Sequence, residues 1–164
     1  MFRSENEIYN FDFADAKIEQ FKIDGANVII TLEALIIEPE NSQNENYTKS
    51  YAGLTKAKFE NAEIISGIKD GYKRYDANNK LVEDVEDTPI DKDELLMILK
   101  NSKGAYLYAM DANDNSSENL FSYTVSIEFA NMNYDTTVTK SYQFIMTFKR
   151  ALFEWDKYMN KVMQ

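Results

Sequence analysis

Tyr123-Thr124-Val125-Ser126-Ile127-Glu128-Phe129 decides the fold class. Apolar residues occupy the odd positions and polar residues the even ones. Successive side chains on a strand point to opposite faces, so this period of two marks a half-buried β-strand. Tyr142-Gln143-Phe144-Ile145-Met146-Thr147-Phe148-Lys149 repeats the pattern with the apolar side on even positions. Tyr106, Tyr108 and Met110 give a third such face, opposite Ala105, Leu107 and Ala109. Alternation of this kind belongs to antiparallel sheets with one face on the core.

The same reading extends towards the N-terminus. Ala16–Ile23 and Ala26–Glu38 flank Asp24-Gly25, a tight hairpin signal. The second run has thirteen residues and would extend about 43 Å at about 3.3 Å per residue. A domain of this size is narrower, so the run must bend, carry a bulge or pass between sheets. Val28, Ile29 and Ile30 are apolar in succession, which predicts cover on both faces. Tyr51–Glu60 and Ala62–Ile68 read as a further strand pair beyond the polar loop Glu40–Asn46. Gly71–Tyr75 and Lys80–Glu83 read as a hairpin around Asp76-Ala77-Asn78-Asn79, where asparagine tolerates the left-handed backbone of a turn.

One helix is expected, at Lys92–Asn101. Asp91 suits the N-cap, with Glu94 as reciprocal acceptor and Ile90 and Leu95 spaced as a hydrophobic staple. Thr88 followed by Pro89 is the other possible start. Leu95, Leu96, Ile98 and Leu99 form the buried stripe, and Gly104 suits the exit. The run Arg150–Met163 fits either a strand or a short terminal helix. The expectation is one domain over residues 1–164: a mainly β, antiparallel β-sandwich or bent barrel of about 8–9 strands with one short helix, about 92–101. At this length a full core is within reach, with about 68–70% of the unfolded surface buried.

Chemistry is bounded by an absence. The 164 residues contain neither histidine nor cysteine. Those side chains supply most general bases, soft nucleophiles and tight transition-metal sites, so no cofactor and no metal centre is expected. Ten Phe, eleven Tyr and one Trp remain, a set better suited to binding than to catalysis at neutral pH.

Net charge is −10, unevenly placed. Glu83–Glu94 holds seven acids and one base, Lys92, whereas Lys49–Lys80 holds seven bases against four acids. A negative body disfavours nonspecific nucleic-acid and anionic-membrane binding and favours a basic protein partner. Glu83, Asp84, Glu86 and Asp87 are the candidate partner-binding residues. No apolar run is long enough to span a bilayer and no targeting signal is visible, so the chain reads as cytoplasmic.

Three further patterns bear on chemistry. Glu154 and Asp156 flank Trp155; on a continuing strand they form a carboxylate pair that a hydrolase could use, or a solvated strand end. Asp111-Ala112-Asn113-Asp114-Asn115 opens like a calcium loop, but Ser116 and Ser122 stand where glycine and glutamate are required, which favours a polar turn. Asp15-Ala16-Lys17, with Asp12 upstream, matches a nuclease triplet that is abundant by chance. Tyr47, Tyr51, Tyr72, Tyr75, Tyr134 and Tyr158, with Trp155, would serve a small carbohydrate-binding module.

Phe13-Ala14-Asp15-Ala16-Lys17-Ile18, followed by a hairpin and a long apolar strand, resembles the opening of small bacterial β-rich proteins. Some of these are grouped with immunity proteins of contact-dependent toxin systems. Phe153-Glu154-Trp155-Asp156-Lys157-Tyr158 is similar to the close of a small uncharacterised bacterial family with the same hairpin-helix-strand order. The resemblance implies a noncatalytic protein that binds another protein in the manner of an immunity or inhibitor protein.

Overall fold

The computed structural model describes residues 1–129 and 140–162. The chain is mainly β, with antiparallel strands throughout the described sheets and, among the described residues, one α-helix. The strands are β1 (Phe2–Glu5), β2 (Phe11–Asp12), β3 (Lys17–Asp24), β4 (Asn27–Glu33), β5 (Ile36–Ile37), β6 (Ser50–Ala52), β7 (Thr55–Glu60) and β8 (Glu63–Lys69). They continue as β9 (Tyr72–Tyr75), β10 (Leu81–Val85), β11 (Thr88–Ile90), β12 (Tyr106–Ala112), β13 (Phe121–Phe129), β14 (Lys140–Phe148), β15 (Arg150–Trp155) and β16 (Tyr158–Lys161). Helix α1 spans Lys92–Lys100.

Ten strands form one sheet in the order β1-β15-β7-β4-β3-β12-β13-β14-β8-β11. Only Lys149 separates β14 from β15, and only Asn61-Ala62 separate β7 from β8, yet each connection joins opposite halves of that order. The sheet must therefore fold over on itself. Asn61 turns the chain with a φ of 50°, and the Lys149 N–H donates to the Glu60 carbonyl oxygen, holding the two connections together. Phe59 fills the space between the halves, its ring 5.0 Å from Phe148 and 5.9 Å from Phe153, both edge on. Such aromatic pairs add to the large burial of each ring.

The long run Ala26–Glu38 does pass between sheets. Ala34 adopts a φ of 57°, and β4 on one side lies in the large sheet while β5 on the other lies in a second, β16-β6-β5-β2. Val28, Ile29 and Ile30 are all buried, as their succession requires. Phe11 of β2 stacks on Phe153 of β15 at 4.4 Å and ties the small sheet to the large one.

Three sequence expectations need correction. Sixteen strands among the described residues replace the expected 8–9, because runs read as single strands are broken and because β1, β2, β11 and β16 are too short to show alternation. The segments β7 and β8 are consecutive but do not pair; β7 lies between β15 and β4, and β8 between β14 and β11. Met110 does not share a face with Tyr106 and Tyr108. The register of β12 on β13 shifts between Leu107 and Ala109, so Met110 lies opposite inward-facing Val125. Of the two readings open for Arg150–Met163, the described residues take the strand, as β15 and β16.

Helix α1 begins after Asp91, but the Asp91 side chain makes no capping hydrogen bond, so the reciprocal box does not form. Thr88 and Pro89 belong to β11, which removes the other start. Leu95 and Leu99 are fully buried, and Leu95 rests on Gly67 of β8: a Cβ there would lie 2.7 and 2.9 Å from the two Leu95 methyl carbons. No helix among the described residues is long and apolar enough to cross a membrane.

Candidate interaction surface

The feature that stands apart is a two-stranded sheet made of β9 and β10. It prolongs the last pair of the large sheet. Thr88 lies opposite Lys69, and Val85 opposite Tyr72, three residues further along both strands. The ladder is interrupted at Asp70-Gly71 against Glu86-Asp87. There the Gly71 N–H donates 2.6 Å to the Asp87 carboxylate. A Cβ on Gly71 would lie 2.0 Å from the Val85 carbonyl oxygen, so only glycine allows this close approach. The distal turn is held by Asp76, whose Oδ1 accepts from the Asn78 and Lys80 N–H groups at 2.8 and 3.0 Å, with Asn79 at a φ of 61°.

Apart from half-buried Glu83, every residue from Lys73 to Pro89 is exposed. That includes Tyr75 at 54%, Leu81 at 43%, Val82 at 50% and Val85 at 37%. An open depression of about 630 Å³ lies at the base, lined by Gly71, Tyr72, Lys73, Asp84, Val85, Glu86 and Asp87.

The four acids singled out in sequence lie here with different roles. Glu83 accepts from the Tyr72 hydroxyl at 2.8 Å and pairs with Arg74 Nε at 3.1 Å. Asp84 lies opposite Lys73 in the register. Asp87 caps Gly71, and Glu86 lies beside it at the break in the ladder, exposed. From Asp70 to Asp87 six acids face three bases. Burial, and then the Asp87 carboxylate, push the Asp70 carboxyl above its usual range, against a hydrogen bond from Gln143. Exposed Asp91, Asp93 and Glu94 continue the negative charge into α1.

The other candidate residues are dispersed or already engaged. Strand β15 ends at Trp155, so Asp156 lies in the following turn; Glu154 lies beside Arg3 at 3.6 Å and opposite Lys56. Asp15 accepts from the Tyr51 hydroxyl at 2.6 Å, and Asp12 pairs with Lys49 at 3.3 Å. In the calcium-like turn the Asn113 side-chain carbonyl accepts from Thr124 at 2.7 Å. Among the described residues no three acidic side chains converge closely enough to hold a metal ion.

Of the tyrosines, Tyr47 is 90% exposed, whereas Tyr158 packs edge on against Phe2 at 4.8 Å and its hydroxyl donates to the Gln43 carbonyl oxygen. Tyr134 lies outside the described residues. Trp155 is 2% exposed, so it offers no sugar-stacking face.

Sequence reading missed the continuity of the ribbon and its isolation from the core. Part of its signal was present: Tyr72-Lys73-Arg74-Tyr75 has no clean apolar side. No protein-family model, no curated protein and no solved structure matches the chain.

Proposed function

We propose that this chain is a noncatalytic binding protein of immunity or inhibitor type, acting in the cytoplasm on a basic protein partner. The observation that carries the reading is the projecting β9–β10 ribbon with unburied acids at its base. An isolated two-stranded hairpin is marginally stable in water. This one is built with a glycine at a close strand contact, a capped turn and an internal Tyr72–Glu83–Arg74 cluster. A segment whose only task was solubility would not also expose Tyr75, Leu81, Val82 and Val85. The net charge of −10 opposes binding to phosphate backbones and anionic lipid. The lack of cysteine is compatible with a reducing compartment.

The internal bonds of Glu83 and Asp87 make Asp84 and Glu86 the clean charge tests. Affinity capture from a lysate of the source cells should recover a basic protein at low salt. Recovery should drop with Asp84→Asn/Glu86→Gln and with added salt. A captured protein retained equally by the variant and at high salt would reject the reading.

A further inference from the structure

We propose that the joint between the large sheet and the β9–β10 ribbon is a proton-operated latch built from Asp70 and Asp87, which oppose each other across it. The joint closes when Asp70 takes up a proton and donates it in a hydrogen bond to the Asp87 carboxylate. It loosens into a hinge when both acids are ionised. This concerns the attachment of the ribbon and holds whether or not a partner binds there.

The register sets the two acids face to face. Lys69 lies opposite Thr88, and Tyr72 opposite Val85. Counting inward from both pairs places Asp70 opposite Asp87 and Gly71 opposite Glu86. Like charges directly opposite each other on antiparallel strands destabilise the pair. It is here that the ladder is interrupted.

Each acid is tied to a different side of the break. The Asp70 N–H donates to the Ser141 carbonyl oxygen at 2.9 Å, and the Asp70 carboxylate accepts from Gln143 Nε2 at 3.1 Å, both in β14 of the large sheet. Asp87 holds the N–H of Gly71, the residue that leads into β9, at 2.6 Å. Attraction or repulsion between the two carboxyl groups therefore acts on the joint itself. At Gly71 the strands meet backbone to backbone, with no room for a Cβ, so no side chain there stiffens the crossing. The open depression lies on the ribbon side of the break and leaves that side unpacked.

The charges around the pair do not neutralise it. From β14, Asp70 meets Ser141 and Gln143, both uncharged, with Lys140 next along the strand. From the opposite strand it meets Asp87, with Glu86 beside it. Lys69 precedes Asp70, and alternation carries it to the other face. Arg74 is paired with Glu83. Among the described residues no ion pair reaches Asp70 or Asp87. Burial and then the facing Asp87 charge hold the Asp70 carboxyl above its ordinary 3.8, against the Gln143 bond. A carboxyl raised in this way favours the closed joint most below its ordinary value, and that preference is lost as pH rises through the raised one. Mild acid should stiffen the attachment of the ribbon, and neutral pH should free it.

The test is amide hydrogen exchange resolved by NMR, at constant ionic strength, from neutral pH down to 3.8. A two-stranded ribbon is marginal alone, so its protection reports how firmly the joint holds it. Protection of the Tyr72–Val85 amides, corrected for intrinsic exchange, should rise as pH falls. The rise should be up to about tenfold for each pH unit by which Asp70 titrates above its ordinary value. Amides of β13 and β14 should not follow. The midpoint should match that of the Asp70 carboxyl carbon shift. Asp70→Asn keeps the acceptor for Gln143 and offers Asp87 a permanent donor. Its ribbon should be protected at neutral pH at least as well as that of the acidified wild type. Asp76, Glu83 and Asp84 titrate in both proteins, so the difference between them reports the joint. Asp87→Asn, which keeps an acceptor for Gly71, is the second variant and should behave alike; Trp155 fluorescence checks that each is folded. Ribbon protection that ignores pH overturns the proposal. So does an Asp70 carboxyl that titrates at or below 3.8, or a folded amide variant as weakly protected at neutral pH as the wild type.

Discussion

Glu7 shows how much of this fold hangs on single polar contacts. It follows β1, and its carboxylate accepts from the Ser42 N–H at 2.9 Å, the Ser42 hydroxyl, Asn10 Nδ2 at 3.3 Å and the Ser4 hydroxyl at 3.2 Å. Burial opposes its ionisation, but these donors outweigh burial and hold its pKa below the ordinary 4.5. A carboxyl lowered on folding adds stability above its unfolded pKa, and that stability disappears as pH falls through the folded value. Glu7→Gln should therefore cost about 1–2 kcal/mol near neutral pH, the range for a partly solvated charge-assisted network. The gap from wild type should shrink as pH falls below 4.5. Urea unfolding followed by Trp155 fluorescence at neutral pH and through that range checks this, and a gap independent of pH would refute it. Nothing in the sequence around Glu7 marks it, because its main partner is 35 residues away in the chain. Contacts of that kind have no period to read. Trp155 was legible as a core residue only in part: its indole N–H is buried without a hydrogen-bond partner among the described residues, which alternation does not disclose.

At the scale of elements, alternation was legible wherever one face meets the core without interruption. In β14, Tyr142, Phe144, Met146 and Phe148 are buried and Gln143, Ile145 and Thr147 are half-buried between them. It failed at Met110, where one extra residue in the ladder reverses the faces beyond it. The helix was legible from its apolar stripe, while the motif at Asp91 was present without its hydrogen bond. What seats the helix is a missing side chain. With Gly67 beneath Leu95, Gly67→Ala should cost about 1–3 kcal/mol by overpacking, and Leu95→Ala about 2–5 kcal/mol by leaving a cavity. The double variant should cost less than the sum, since each change makes room for or fills the other. Thermal unfolding of the four proteins tests this coupling. Strict additivity would mean that the helix is seated elsewhere.

At the scale of the molecule, the fold class was readable and the strand order was not. Sequence-adjacent strands usually neighbour each other. Here β7 and β8, and β14 and β15, are adjacent in sequence and far apart in the sheet. That folding-over buries Phe59, Phe148 and Phe153 together and leaves β9 and β10 as an extension beyond the core. The acidic stretch was visible from composition, but its division into structural acids, Glu83 and Asp87, and open ones, Asp84 and Glu86, needed the ribbon. The central claim is that this ribbon steers a basic partner. Its most direct test is the association rate with the captured partner as a function of ionic strength, by stopped flow. For the wild-type chain the rate should fall steeply with salt while dissociation changes little, and Asp84→Asn/Glu86→Gln should lower both the low-salt rate and the steepness. An association rate that ignores salt, or that the two amides leave unchanged, would contradict the account.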